Sequence, residues 1–194
     1  MTTTQINWRP DASAARGNER DGWLPDGLDR SVFADVPRVQ NRGKRTWSDE
    51  GVQQILEAEF VPVQINALEH EEAMQQPLLA FWTPTLIALC LDGNIHRKWM
   101  GFLPPHEFLG EVALARVAYA MARQDFDEAH RLAQEATQWT QGDTLRHSES
   151  LYWQAVAAYK ASENQDLLIA GWKDLLGRFP DSEWAKRVDF AASL

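Results

Sequence analysis

Among its 194 residues the chain has one cysteine, Cys90. A single thiol excludes an intramolecular disulfide and a cysteine-based zinc site. Positive charge is scarce too: 19 Lys and Arg face 28 Asp and Glu, for a formal net charge of -9. Duplex nucleic acid is therefore an unfavourable partner, because its phosphates would be repelled. No apolar run approaches the ~20 residues of a membrane-crossing helix. Residues 1–10 lack the basic-then-apolar order of a signal peptide, so a reducing cytoplasm is the expected compartment. The histidines His70, His96, His106, His130 and His147 are scattered. None forms a metal-spacing pair with a carboxylate, and His70-Glu71-Glu72 are sequence neighbours that would not face each other on a helix. A Gly-rich phosphate loop, a nucleophile elbow and a triad pattern are also missing. The sequence thus assigns no catalytic residue, no metal and no cofactor.

What is present is ordinary for a globular chain able to bury a core: 44% hydrophobic and 24% charged residues. The 9 tryptophans are many for this length and can supply both buried area and binding surface. Residues 1–29 read as an irregular arm pinned by Trp8 and Trp23, with room for an edge strand near Ile6-Asn7-Trp8. A weak strand is expected over 31–34. Ser48-Asp49-Glu50 ahead of Val52, Ile55 and Leu56 is a helix start with acidic residues in its first turn. Residues 60–65 alternate as a strand does, 70–79 suit a short helix or turn, and 86–91 with 95–100 flank Asp92-Gly93-Asn94 as a hairpin. Pro104-Pro105 then opens a helix.

From Phe108 onward the pattern is helical, with breaks near Gln124-Asp125, Gln141-Gly142-Asp143, 162–165 and Pro180-Asp181-Ser182. Small residues such as Ala115, Ala118, Ala129, Ala133 and Ala136 would let these helices pack closely. Two helix-turn-helix stretches, 114–137 and 152–180, resemble tetratricopeptide repeats. The second places Tyr152, Ala155, Tyr159, Trp172 and Pro180 at aromatic, small and proline positions, although Leu168 stands where alanine is usual.

Four further stretches are specific: Thr46-Trp47-Ser48-Asp49-Glu50-Gly51-Val52, Glu59-Phe60-Val61-Pro62-Val63, Trp82-Thr83-Pro84-Thr85-Leu86 and Gly101-Phe102-Leu103-Pro104-Pro105. With them the chain resembles bacterial thioredoxin-fold proteins that carry a C-terminal tetratricopeptide-like helical tail. The resemblance implies an α/β thioredoxin-like domain over 30–111, following the arm at 1–29, and an all-helical tail over 112–194. It also implies a Cys-x-x-Cys motif where this sequence has Val36-Pro37-Arg38-Val39. Dithiol exchange requires a thiolate, activated at a helix N-terminus, and a second thiol to resolve the mixed disulfide. Val36 and Val39 supply neither.

The resulting expectation is a redox-inactive module that binds a protein or extended peptide, chaperone-like or an adaptor, with neither nucleic acid nor membrane as partner. The alternative is a degenerate thiol-disulfide oxidoreductase or a single-thiol sensor acting through Cys90, which otherwise reads as a small buried hydrophobe. By the resemblance Pro84 would border an apolar groove of Pro37, Trp82, Thr83 and Pro84, opposite Val36 and suited to strand addition. The groove is equally open to filling by the N-terminal arm. Arg38, Arg42, Lys44 and Arg45 form a basic run that is either an anion-facing patch or a solvated face. Trp139, Trp153, Trp172 and Trp184 read as core between helices, or as a peptide groove if a pair is exposed.

Overall fold

The computed structural model describes residues 6–8, 31–36, 44–65, 80–90 and 94–193, of which 31–36 and Lys44 are described by backbone only. Packing divides the chain into two compact units, residues 1–108 and 109–194. The arm beyond residues 6–8, the helix or turn expected over 70–79 and the Asp92-Gly93 turn lie outside the described residues.

The first unit holds β1 (Ser31–Val36), α1 (Lys44–Trp47), α2 (Glu50–Glu59), β2 (Phe60–Gln64), β3 (Thr85–Leu89) and β4 (Ile95–Met100). The Asp49 carboxylate accepts the Val52 N–H at 3.1 Å and so satisfies an otherwise orphan donor of the first turn of α2. The four strands form one sheet in the order β2-β1-β3-β4. β1 runs parallel to β2 and antiparallel to β3, and β3 is antiparallel to β4. Thr85–Leu89 is buried at every position, as its central place between two neighbours requires. Pro62, which has no N–H to donate, falls on β2 at the margin of the described sheet, where proline is tolerated. Val52 and Leu56 of α2 join Val63, Leu86 and Ile87 in the core. Trp47 makes edge-to-face contacts with Trp8 and Phe108, each at 5.2 Å between centroids.

The second unit is helical. It takes in most of α3 (Pro105–Ala122), inside which the division falls, then α4 (Phe126–Trp139), α5 (Thr144–Ser162), α6 (Gln165–Arg178), α7 (Glu183–Lys186) and a 3-10 turn at Asp189–Ser193. Asp125, Asp143, Asn164 and Ser182 each cap the helix that follows. Ala113, Val117, Ala120, Ala129, Leu132, Ala133, Ala136 and Ala157 pack into one buried cluster across α3, α4 and α5. A second cluster gathers Leu151, Leu175, Ala185 and Val188. At Gly171 an added Cβ would lie 2.5 Å from that of Ala155, so the two helices approach as only glycine permits.

The expected class, an α/β thioredoxin-like domain with a tetratricopeptide-like tail, is corrected by these observations. The described residues are mostly helical, with seven helices among them. Four of them run 14 to 19 residues, whereas each strand has only five or six. The physical reason lies in composition. Alanine fills the helix contacts, and it combines the strongest helix propensity with the least bulk at a close interface. The strands stop early, since Pro84 and Gly101 bound the hairpin at one end and Cys90 already leaves the ladder at the other.

Candidate binding site

β3 is entered through Ala80-Phe81-Trp82-Thr83-Pro84. Ala80 is buried, and then the chain turns its next two side chains outward: Phe81 is 81% and Trp82 70% exposed. The Thr83–Pro84 peptide is cis. Two bonds hold this segment to the sheet. The Thr85 hydroxyl donates to the Trp82 carbonyl, and the Gly101 N–H donates to the Pro84 carbonyl at 2.9 Å. Gly101 has φ +87 with open space where a Cβ would stand, so backbone conformation rather than crowding favours glycine there. Across the sheet Thr85 pairs with Val36 on one side and Met100 on the other. Met100 is 66% exposed. Exposed apolar side chains thus stand at one end of the hairpin, on backbone fixed by its own hydrogen bonds.

Of the groove residues read from the sequence, Trp82, Thr83 and Pro84 are brought together, and the Val36 backbone is one residue removed through its pairing with Thr85. Val36 is the last residue of β1. Pro37, Arg38, Val39 and Arg42 lie outside the described residues. Lys44, described by its backbone only, begins α1, and Arg45 beside it is exposed; the rest of the basic run lies outside the described residues. Phe81 and Met100 were missed by sequence reasoning. Their position beside Trp82 and Gly101 was the available signal, but exposure is a tertiary property that neighbouring letters do not encode.

Cys90 is half-buried instead of sealed in β3, with its Sγ 3.5 Å from the Asn94 carbonyl oxygen. Of the tail tryptophans, Trp139 is 42% exposed. Trp153, Trp172 and Trp184 are half-buried and interlock with Tyr152, Trp172 stacking on it at 5.9 Å. No group of His, Cys, Asp and Glu that could hold a metal occurs among the described residues. None of their helices is long and apolar enough to cross a membrane.

A buried polar network in the second unit was also missed. Arg146 Nε lies 2.7 Å from Glu111 Oε1, and its Nη1 pairs with Asp143 Oδ2. Burial would raise the Asp143 pKa, but hydrogen bonds from the Arg146 side chain and backbone, with its charge, hold it below the ordinary value. Glu111 and Arg146 are 35 positions apart, a separation no helical period links.

No protein-family model matches the chain, and no curated protein matches it.

Proposed function

We propose that this protein is a binding module for an extended, apolar segment of another protein, chaperone-like or adaptor in role, and that it takes this segment at Phe81, Trp82 and Met100. The observation that carries the reading is the exposure of two consecutive aromatic rings on a segment tied to the sheet by two hydrogen bonds, one from the Thr85 hydroxyl and one between backbone groups. Large exposed apolar side chains grouped in one place are uncommon without a partner. Aromatic anchors that are already ordered lose little entropy when a ligand arrives, and such residues dominate binding energy in interfaces. An extended peptide can add backbone hydrogen bonds to these apolar contacts. The formal charge of -9 favours a protein partner over nucleic acid. The single cysteine suits a reducing cytoplasm.

The test is fluorescence anisotropy of a labelled short peptide of alternating leucine and serine, titrated with the full chain. Saturable binding is expected. Replacing both aromatics (Phe81→Ser with Trp82→Ser) should weaken it at least ~10-fold, the consequence of losing ~1.4 kcal/mol or more of contact. The melting temperature should barely change, since exposed side chains contribute within about 0.5 kcal/mol of stability. Equal affinity in the double variant, or no binding by the native chain, would overturn the proposal.

A further inference from the structure

His147 is the one buried histidine among those described, and both of its ring nitrogens are engaged. Its Nδ1 lies 3.1 Å from the Thr140 hydroxyl oxygen, and its Nε2 lies 2.9 Å from Arg178 Nη2. A guanidinium donates and cannot accept, so Nε2 must be the bare, accepting nitrogen. The ring proton then belongs on Nδ1. Its acceptor is the Thr140 oxygen, whose own proton goes to the Ala136 carbonyl at 2.8 Å. Ser150, 3.1 Å from the same oxygen, donates to the Arg146 carbonyl. These contacts at the two ring nitrogens fit one protonation state, the neutral one. The Phe179 ring meets the imidazole edge-to-face at 5.5 Å and shields it.

We propose that His147 is a pH-sensitive latch of the second unit: its neutral ring ties the end of α6 to the turn between α4 and α5, and acidification opens it. A second ring proton would sit on Nε2 and face the Arg178 guanidinium, donor against donor and cation against cation. The Arg178 contact is then lost. The charged groups facing the ring are known from each neighbouring element. Arg178 and Asp174 come from α6, with 3.2 Å between them. Asp143 comes from the α4–α5 turn and is committed to Arg146, which Glu111 of α3 also holds. Burial lowers the His147 pKa, the Arg178 charge lowers it further, and the Thr137 carbonyl, Asp174 and Asp143 oppose both.

The sign of the effect follows. The unfolded chain takes up this proton first, near the ordinary value of ~6.5, so the contribution of the latch is complete above that pH. It is lost as the pH falls through ~6.5 toward the lower folded value. Nitrogen–proton correlation spectra of the full chain at neutral pH should show His147 protonated on Nδ1 and bare on Nε2. The ring should titrate below ~6.5, and Arg178→Met should move its midpoint upward. The fall in melting temperature between neutral and mildly acidic pH should be smaller in His147→Gln than in the native chain. A proton on Nε2 at neutral pH, a midpoint at or above ~6.5 with Arg178 present, or an unchanged pH profile in His147→Gln would each overturn the latch. If Arg178→Met fails to fold, the tautomer in the native chain decides alone.

Discussion

At the scale of single residues, the Glu111–Arg146–Asp143 cluster shows how charge is carried into the helical unit. Arg146, Glu111 and Asp143 have side-chain exposures of 8%, 10% and 15%. Their attraction has to offset a substantial desolvation cost, which makes removal of one partner far worse than never having had the pair. Arg146→Met would leave two carboxylates buried without their cation. We expect it to cost ~3–5 kcal/mol in urea unfolding. A loss below about 1 kcal/mol would mean that water already screens the cluster. The cluster also sets an acid limit. Because the folded Asp143 pKa is depressed, its contribution is complete above the unfolded value of ~3.9 and is lost as the pH falls toward the folded one. This acid-dependent share of stability should shrink in Arg146→Met, which keeps only the backbone hydrogen bonds to Asp143.

At the scale of elements, much was legible because the signals were local. Asp49 caps α2 and Asp143 caps α5 where acidic residues precede apolar periodicity. The breaks at Gln124-Asp125 and Gln141-Gly142-Asp143 are turns, with Gln124 and Gly142 both at positive φ. Other features depended on distant partners. Val36 joins the site only through its pairing with Thr85, and residues 37–43 after it lie outside the described residues. Cys90 was expected inside a strand, but β3 ends at Leu89, and the Cys90 N–H donates to the Asn94 carbonyl just beyond it. The class is overturned by the helical share of the described residues, a whole-chain proportion that the motifs around the hairpin do not report. Two glycines of α6 test the helix packing with opposite signs. Gly171→Ala would drive a methyl group onto Ala155, and overpacking of this kind costs ~1–3 kcal/mol. Gly177 has open space around it, so Gly177→Ala should stabilise by roughly 0.4–1 kcal/mol through reduced freedom of the unfolded chain. Thermal unfolding of the two variants should move in opposite directions. Parallel shifts would mean that α6 does not pack on α5 as described.

At the scale of the whole molecule, the two units divide the chemistry. The helical unit contains the buried ion cluster and the His147 latch, whereas the sheet-containing unit carries Phe81, Trp82 and Met100 in the open. Trp82, Thr83 and Pro84 were legible as a group because they are consecutive. Met100 joins them only through the β3–β4 register, and that register is set by pairing rather than by nearness in sequence. The claim that this end of the hairpin is where the protein meets its partner is tested most directly by mapping the contact on the native chain. Amide resonances of the full-length protein should be followed while the leucine-serine peptide is titrated to saturation. The account predicts that the largest shifts fall on Phe81, Trp82, Thr83, Thr85, Met100 and Gly101. Shifts confined to residues 109–193, or no shifts at saturating peptide, would contradict it.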